Sequence, residues 1–200
     1  MQRIEEDLLE IREALRRSQI ALREELPAEL RHASSMEIIQ RLERHLAERG
    51  ATFIHCYISF RSEVETRAFI TAALEVHRWR VVVPVVEQGA EVLVHTEIQG
   101  LDNLAKGRFG LEEPVDRTPA SLESLNAVIV PLVAFDRRGT RLGYGKGFYD
   151  AFLRELPDSV ERIGLAFAVQ EAEHIPLRPH DEPLDLIITE REFIRIDPTC

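Results

Sequence analysis

Hydrophobic residues recur at helical spacing in the first 26 residues of the chain. They follow one another at steps of three, four or seven residues: Ile4, Leu8, Ile11, Leu15 and Leu22. This spacing predicts an amphipathic helix over residues 2–26, with Leu26-Pro27 at its end. The segment is otherwise dense in Arg and Glu, which are interpreted as a solvated face.

A second helix is predicted over residues 35–49, with Ser34 or Ser35 as its N-cap and Gly50 as its stop. Beyond Gly50 the pattern changes to short runs of β-branched residues. Strands are predicted at six such runs, 52–59, 80–86, 91–96, 127–130, 162–168 and 184–189. Further helices are predicted over residues 64–77 and 148–156.

Two of the predicted strands, V-V-V-P-V-V and A-V-I-V, are apolar without alternation. Such strands are buried on both faces, which is typical of a mostly parallel sheet covered by helices. We therefore predict one α/β domain over residues 1–200. Its architecture is a three-layer α/β/α sandwich with an open, mostly parallel, Rossmann-like sheet and with helix 2–26 packed on it. The Gly- and Pro-rich stretch 99–120 is predicted to be a long functional loop.

The composition of the chain indicates which kind of partner it binds. With 200 residues and 44% hydrophobic content, the chain is large enough to fold around its own core. Its formal charge of −10 argues against nonspecific binding to nucleic acid or to anionic membranes, so small molecules are the expected partners. The charged N-terminus and the lack of a long apolar run favour a cytoplasmic enzyme. Cys56 and Cys200 have no paired spacing, so neither a zinc site nor a disulfide framework is indicated.

The stretch 131–150 carries the strongest chemical signal. It places Gly143, Gly145 and Gly147 at alternate positions after an apolar strand, with Arg141 and Lys146 among them. Glycines at positive φ let backbone N–H groups approach an anion, and the helix predicted to follow directs its N-terminus to the same place. This pattern favours a phosphate-binding loop.

The spacing excludes the two commonest nucleotide loops. Five residues separate Gly139 from Gly145-Lys146, and Gly147 occupies the position of the magnesium-binding Ser or Thr of a P-loop. In a dinucleotide fingerprint the third glycine comes one residue later. The alternative is an ordinary glycine-rich turn between strand and helix. Against that alternative, Lys146 is one of only two lysines among 25 basic residues.

Two further clusters follow predicted strands, where ligands bind in open α/β sheets. Phe60, Glu63 and Glu65 follow the first strand, although either Glu can equally serve the start of a helix. Asp181 and Asp185 follow the fifth strand and are available to a metal, although aspartates in a Pro-rich segment are also common turn formers.

Taken together, these residues resemble the 5-formyltetrahydrofolate cyclo-ligase family. The resemblance rests on A-F-D-x-x-G-x-R-L-G-x-G-K-G-x-Y-D at 134–150 and runs through nearly the whole chain. Supporting segments keep the family's order: R-E-A-L-R at 12–16, Y-I-S-F-R-S-E-V-E-T at 57–66, G-R-F-G-L-E-E-P at 107–114, and H-D-E-P-L-D with I-I-T-E near the end.

The resemblance implies a fold similar to those of sugar-phosphate isomerases and CoA transferases. It also implies an ATP- and Mg²⁺-dependent enzyme that converts 5-formyltetrahydrofolate to 5,10-methenyltetrahydrofolate, with release of ADP and phosphate. Phosphorylation of the formyl oxygen would supply the leaving group, which requires positioning and charge neutralisation rather than a covalent nucleophile. Such an enzyme is expected to be a monomer or a weak homodimer.

The resemblance assigns roles to matching positions. Residues expected to contact ATP are Arg12, Arg16, Arg141, Leu142, Gly143, Tyr144, Gly145, Lys146, Gly147, Phe148 and Tyr149. Residues expected to contact the folate are Phe60, Glu63, Phe109 and Tyr149, with an ordinary core role as the alternative for Phe109. Lys146, Arg141 and Tyr149 are expected to act in catalysis, and Asp150 and Asp181 to bind Mg²⁺.

The chain departs from the family pattern at Arg12, Asn126, Leu132 and Phe148. These departures motivate one alternative, a folate- or nucleotide-binding paralogue without turnover. The other alternative is a sugar-phosphate isomerase, in which the glycine loop would hold a substrate phosphate and no ATP would be needed.

Overall fold

The computed structural model describes residues 2–76, 78–87, 89 and 92–197, with side chains from residue 5 onward. Its four helices in this part of the chain are α1 (Gln2–Glu25), α2 (Ala28–Glu48), α3 (Arg67–Glu75) and α4 (Phe148–Arg154). The first six strands are β1 (Phe53–Cys56), β2 (Arg80–Val85), β3 (Val94–Ile98), β4 (Leu104–Lys106), β5 (Glu112–Pro114) and β6 (Ala127–Pro131). They are followed by β7 (Ala134–Phe135), β8 (Arg141–Leu142), β9 (Glu161–Leu165), β10 (Leu186–Ile188) and β11 (Phe193–Arg195).

Seven strands form the central sheet in the order β11-β10-β9-β6-β1-β2-β3. The five inner strands are parallel, and the edge strands β3 and β11 are antiparallel to their neighbours. The register sets Ile54 opposite Val81 on one side and Ala127 on the other. Helices flank the sheet, so the predicted mostly parallel α/β architecture is confirmed.

Alternation along the inner strands builds the two faces of the sheet. Ile54 and Cys56 of β1 belong to an apolar cluster that α2 and α3 cover, whereas Phe53 belongs to the cluster covered by α4. Successive side chains of a strand point to opposite faces, so an uninterrupted apolar strand serves both clusters. The buried apolar area of both faces therefore fixes the sheet between its helices.

Helix α1 differs from the amphipathic helix that its hydrophobic spacing predicts. Ile11 and Leu22 are exposed, whereas Arg12, Gln19 and Arg23 are buried. The helix packs against β7 and the 3-10 turn Ala168–Gln170, which follow β6 and β9 in the chain. It therefore crosses the carboxyl edge of the sheet, and its polar residues face the loops there. The interpretation of the Arg residues as a solvated face was wrong for Arg12 and Arg23.

Helix α2 begins at Ala28, seven residues before the predicted start. Ser34 and Ser35 are buried inside the helix and cap nothing, because the chain is already helical directly after Pro27. Ser35 instead accepts a hydrogen bond from the backbone N–H of Glu65, which ties α2 to the segment after β1.

Other boundaries also differ from the prediction. Helix α3 is shorter than predicted, and its predicted last residue, His77, lies outside the described residues. Glu91, at the predicted start of the third strand, also lies outside them.

The stretch 99–120 is not structureless, since β4 and β5 pair within it as an antiparallel ribbon. Strand β11 was not predicted. Cys56 is buried and reduced, and Cys200 lies outside the described residues.

Between β6 and the glycine loop, which comprises residues 143–147, the chain forms the antiparallel pair of β7 and β8. The turn between them is organised by the Asp136 carboxylate, which accepts backbone N–H groups of Arg138, Thr140 and Ile175 at 3.0, 3.2 and 3.0 Å. Leu132, at the start of this segment, is buried close to Gly164 of β9. The glycine loop thus leaves a firmly held ribbon above the sheet.

Candidate active site

A cavity of about 930 Å³ opens at the carboxyl edge of the sheet. Its walls come from α1, the segment after β1, the stretch between β3 and β6, the glycine loop with α4, and the segment after β9. Fifteen of the sixteen residues that the resemblance assigned to ATP, folate or metal line it. The exception is Leu142, which is fully buried beside Ala134, Ala172 and Ile175 and supports the loop from below.

The glycine loop combines two backbone conformations. Gly145 and Gly147 have φ of +89° and +73°, where residues with side chains are strained, whereas Gly143 does not have positive φ. The expectation of three glycines at positive φ was therefore wrong for Gly143. Gly145 also gives room to Arg16, because a Cβ there would lie 3.2 Å from an Arg16 terminal nitrogen. Arg16 donates from Nε to the Gly143 carbonyl at 2.8 Å, which fixes α1 to the loop.

Arg141 lies under the loop as a buried cation. Its terminal nitrogen donates to Oδ1 of Asp150 at 2.8 Å. Burial lowers the pKa of the Arg141 guanidinium, and the neighbouring Asp150 carboxylate opposes that shift. Its Nε is buried and has no hydrogen-bond partner among the described residues. A buried donor of this kind favours an acceptor supplied by a ligand.

Asp181 forms a two-point ion pair with Arg12, with N···O distances of 2.5 and 3.0 Å. Arg12 also donates to the Pro176 carbonyl at 2.6 Å, and Asp181 accepts the backbone N–H of Arg178 at 2.9 Å. Both predicted metal ligands, Asp150 and Asp181, are therefore paired with arginines. Within the described residues no group of three His, Cys, Asp or Glu side chains is arranged to hold a metal.

Asp150 nevertheless retains coordination capacity. The hydrogen bonds that it accepts from described residues, from Arg141 and from the backbone of Glu182, both go to Oδ1. Oδ2 accepts no hydrogen bond from a described residue, and Asp150 lines the cavity. Magnesium takes one or two carboxylates and fills its shell with water and phosphate oxygens, so a single carboxylate oxygen here suits it. Asp185, the other candidate, does not line the cavity and accepts the backbone N–H of Arg162 at 2.7 Å.

Lys146 and Phe109 meet across the cavity mouth. The ammonium nitrogen lies 5.5 Å from the centre of the Phe109 ring, a cation–π distance. Phe109 is half exposed and has φ of 62°, so it is not an ordinary core residue. Among the described residues Lys146 forms no ion pair, and its charge is available to a ligand.

The two glutamates after β1 face opposite environments. Glu63 is buried and its Oε2 accepts the backbone N–H of Phe60 at 2.8 Å. Burial raises the pKa of Glu63, and the Phe60 N–H, Arg23 and Tyr144 oppose that rise. Glu65 points outward to His32, 2.8 Å away, with half of its side chain exposed. Glu63 therefore belongs to the cavity and Glu65 to the surface.

Tyr149 supplies a second buried donor without a partner among the described residues, its hydroxyl. Burial raises the pKa of Tyr149 well above its ordinary value, with Cys56 and Glu63 adding to the effect, so the hydroxyl stays protonated. Phe148 lines the same wall. Arg141 and Tyr149 thus both line the cavity, and each carries one buried donor without a partner among the described residues.

Several cavity residues were missed from the sequence. Arg61 has φ of 53° and stacks over Phe60 at 4.9 Å, and Arg178 and His180 line the wall beside Asp181. Arg23 lies behind the wall and reaches it through Tyr144. The spacing of Arg12, Gln19 and Arg23 on one helical face was the available signal, and it was obscured by the apolar residues between them.

Comparison with known proteins gives one consistent answer. The model of the 5-formyltetrahydrofolate cyclo-ligase family matches residues 8–190. A protein of Haemophilus influenzae named 5-formyltetrahydrofolate cyclo-ligase is 31% identical, and the match covers 84% of this chain and 91% of that protein. The Escherichia coli K12 protein of the same name is 30% identical, over 80% of this chain and 93% of that protein.

A comparison with solved structures agrees with the sequence comparison. The NMR structure of Aquifex aeolicus 5,10-methenyltetrahydrofolate synthetase superposes with a TM-score of 0.81 and 27% identity, covering 93% of both chains. No helix in the described part of the chain is long and apolar enough to cross a membrane. The resemblance found in the sequence motifs is thereby confirmed, and the chain belongs to the 5-formyltetrahydrofolate cyclo-ligase family of enzymes.

Proposed function

We propose that this enzyme converts 5-formyltetrahydrofolate to 5,10-methenyltetrahydrofolate in a reaction that consumes ATP, requires Mg²⁺ and releases ADP and phosphate. The observation that carries the proposal is the cavity itself. It joins a glycine loop with basic residues to a wall with a buried carboxylate and aromatic rings, in one space of about 930 Å³. That volume lies at the upper end for small-molecule sites and suits two substrates side by side.

The phosphate chain of ATP is assigned to the glycine loop. Lys146 has no ion pair among the described residues, so its ammonium is assigned to the anionic oxygens, and the Arg141 guanidinium adds a buried positive charge whose Nε has no partner there. Arg16 closes the loop from α1. Donors that are already fixed in place cost no reorganisation when charge develops on the transferred phosphoryl group.

The folate is assigned to the wall that carries Phe60, Glu63 and Phe109. Glu63 presents an acceptor toward the N–H groups of the pterin, and Phe60 and Phe109 offer ring faces at the same cavity. Tyr149 lines the same cavity with a hydroxyl that is protonated and unpartnered among the described residues, and we assign it as the donor to the formyl oxygen or to the phosphate. Holding both substrates in one geometry provides much of the rate.

The chemistry explains why no nucleophilic side chain is needed. The formyl oxygen of an amide is a poor leaving group, and its phosphorylation by ATP turns it into a phosphate that can depart. N10 of the folate then attacks the activated carbon and loses its proton, and phosphate is released. The protein's part is to align the reactants, exclude water and neutralise charge.

Magnesium is assigned to Asp150. When bound, it would neutralise phosphate charge and orient the phosphoryl group for transfer. Asp150 would hold it through Oδ2 while Oδ1 keeps its bond to Arg141. Asp181 would join only if its ion pair with Arg12 opened, so we assign it a secondary role.

The test is the growth of methenyltetrahydrofolate absorbance from 5-formyltetrahydrofolate, with ADP release followed in parallel. We expect one ADP per ring closed, and no product without ATP or without Mg²⁺. Binding of both substrates without product would instead identify a non-catalytic paralogue. ATP-independent turnover of a sugar phosphate would support the isomerase alternative.

A further inference from the structure

Arg23 of α1 is one of the largest fully buried side chains among the described residues, with 2% of its surface exposed. No carboxylate of the described part of the chain forms an ion pair with it within 4.0 Å. Its guanidinium is satisfied by neutral oxygens instead. A buried cation without an anionic partner is costly, so its retention requires a compensating arrangement.

The three nitrogens of Arg23 each contact a different segment of the site. Nε donates to the Ser62 hydroxyl at 3.0 Å, one terminal nitrogen donates to the Leu132 carbonyl at 3.3 Å, and the other donates to the Tyr144 hydroxyl at 2.8 Å. These partners belong to the segment after β1, the start of the route to β7, and the glycine loop. Arg23 thus joins the folate wall to the phosphate loop.

Tyr144 carries the contact onward to Glu63. Its hydroxyl accepts the N–H of Arg23 at 2.8 Å, and its interaction with Glu63 lowers the pKa of that carboxyl. Ser62, the other side-chain partner, is the direct neighbour of Glu63 in the chain. Arg23 therefore reaches Glu63 twice, once through the Tyr144 hydroxyl and once through the backbone of the segment that carries it.

In the described part of the chain, four titratable or charged groups interact electrostatically with Glu63. They are Arg23 from α1, Tyr57 at the end of β1, Tyr144 from the glycine loop and Tyr149 from α4. The three tyrosines are neutral because burial raises each of their pKa values, that of Tyr144 to about 12. Arg23 is therefore the one permanent positive charge among these groups.

We propose that Arg23 is the positioning residue for Glu63, holding the Ser62 segment and the Tyr144 hydroxyl so that the folate-facing carboxylate is presented in one orientation. The inference rests on the proposed function, because Glu63 is assigned there to the pterin. It extends that function by adding a residue that does not line the cavity. It also gives the first helix a part in folate recognition as well as in ATP binding.

Removal of the Arg23 charge should change the pH dependence of folate use. Burial favours the protonated form of Glu63, and the positive charge of Arg23 opposes it. Without that charge the pKa of Glu63 rises, and the carboxylate needed for the pterin is lost at a higher pH. The acid limb of kcat/KM for folate should then move toward neutral pH.

The experiment compares Arg23→Gln and Tyr144→Phe with Arg17→Gln. Arg17 lies on the same helix, is 70% exposed and makes only a 3.9 Å ion pair, so it is the matched control. We expect Arg23→Gln to raise the KM for folate about tenfold while kcat falls less than about threefold, and to move the acid limb upward by about one pH unit. Arg17→Gln should behave as the wild type.

Two further variants separate positioning from a general structural role. Arg23→Lys keeps the charge but cannot bind three oxygens, so it should restore the pH profile and only part of the KM. The double variant Arg23→Gln/Tyr144→Phe should cost less than the sum of the two single changes, because both remove one bridge. If Arg23→Gln melts below the assay temperature, Tyr144→Phe alone must still raise the KM.

The outcomes distinguish this inference from the proposed function. An inactive wild-type enzyme would overturn the proposed function. The pKa of Glu63 could still be measured by ¹³C NMR titration, with its signal assigned from Glu63→Gln. Comparison with Arg23→Gln would then show whether Arg23 lowers that pKa. An active wild type with an unchanged KM and acid limb in Arg23→Gln would overturn the inference. So would an NMR titration of Glu63 that Arg23→Gln leaves unmoved.

Discussion

Lys146 lies at the cavity mouth in a chain that otherwise uses arginine almost throughout. Among the described residues its ammonium lies over the Phe109 ring and forms no ion pair, so its removal leaves no charged partner of this part of the chain unpaired. If it stabilises charge on the transferred phosphoryl group, Lys146→Ala should lower kcat by about 10²- to 10³-fold, the usual effect of losing one preorganised donor. The melting temperature should not change.

Lys106→Ala is the control for Lys146→Ala. Lys106 is the only other lysine of the chain, is exposed and lies on β4 outside the cavity wall. Initial rates at saturating ATP and folate measure the effect. A near-normal kcat for Lys146→Ala would assign the lysine to the shape of the loop alone.

Glu63 and Glu65 form a natural pair for a second prediction. Glu63→Gln should raise the KM for folate about tenfold or more, because an amide turns N–H groups toward the pterin donors. Glu65→Gln should change the KM less than about twofold, since the Glu65 carboxylate is half exposed and pairs with exposed His32. Steady-state kinetics with varied folate decide between them, and the reverse ranking would refute the assignment of Glu63.

At the residue scale, the sequence motif predicted which side chains line the cavity but not how they are paired. Asp150 and Asp181 were expected as metal ligands, and the structure adds an arginine to each, brought from β8 and α1. The Asp150 pair joins residues that are 9 positions apart in the chain, and the Asp181 pair joins residues that are 169 positions apart. No local pattern reports a contact of the longer kind, and the distant partners of Arg23 were missed for the same reason.

The turn between β7 and β8 is the element on which the glycine loop depends. Burial raises the pKa of Asp136, but the Arg138 side chain and the backbone N–H groups of Ile175 and Arg138 outweigh it, so the pKa is lowered. A group with a lowered pKa in the folded state stabilises it fully above the unfolded-state pKa. That contribution is lost as pH falls through the folded-state pKa.

Asp136→Asn should therefore cost about 2–3 kcal/mol of unfolding free energy at neutral pH, because an amide nitrogen would face N–H donors. In acid below the unfolded-state pKa of about 4, the difference from the wild type should shrink. Urea unfolding at both pH values measures it, with exposed Asp158→Asn as the control. A pH-independent difference would contradict an ionic role for Asp136.

At the element scale, helices were predicted best where their apolar face meets the sheet. Helix α2 places Ile38, Ile39, Leu42 and Leu46 at helical spacing in the core, and that pattern was recognisable. Its first turns were missed because they carry polar residues and no cap. Helix α1 was placed correctly along the chain, but its buried face was not, because that face meets loops and a cavity instead of the apolar core.

The central sheet depends on a close approach at Gly164 of β9. A Cβ at this position would lie 2.6 Å from Leu184 and 2.9 Å from Leu132, both buried. Overpacking of this kind costs about 1–3 kcal/mol. Gly164→Ala should therefore lower the melting temperature by several degrees, at about 2–4 °C per kcal/mol for a chain of this size.

Gly100→Ala is the control for Gly164→Ala, because its nearest contact would be 3.5 Å and its φ is not positive. The KM values of the Gly164→Ala enzyme should stay near those of the wild type. Calorimetry and steady-state kinetics test both points. An unchanged melting temperature would show that Leu132 and Leu184 move aside without cost.

At the scale of the whole molecule, the inner parallel strands were predictable because burial on both faces leaves an uninterrupted apolar run. The edge strand β11 was not, since Phe193–Arg195 is short and only its central residue is buried. The ribbon of β4 and β5 was likewise hidden in a segment rich in Gly and Pro. Short strands paired at an edge depend on tertiary partners that a local window does not contain.

Because the inner face of α1 is polar, substitutions in this helix should affect protein abundance and enzyme activity differently. From residue 5 onward, α1 contributes no buried residue to the two large apolar clusters, whereas Arg12, Arg16 and Arg23 all reach the site from it. A selection that scores protein abundance should tolerate most changes in the first 26 codons. A selection that scores growth on the folate product should reject changes at these three positions. Positions that tolerate substitution in the first selection but not in the second would mark α1 as a functional element added to a scaffold that folds without it.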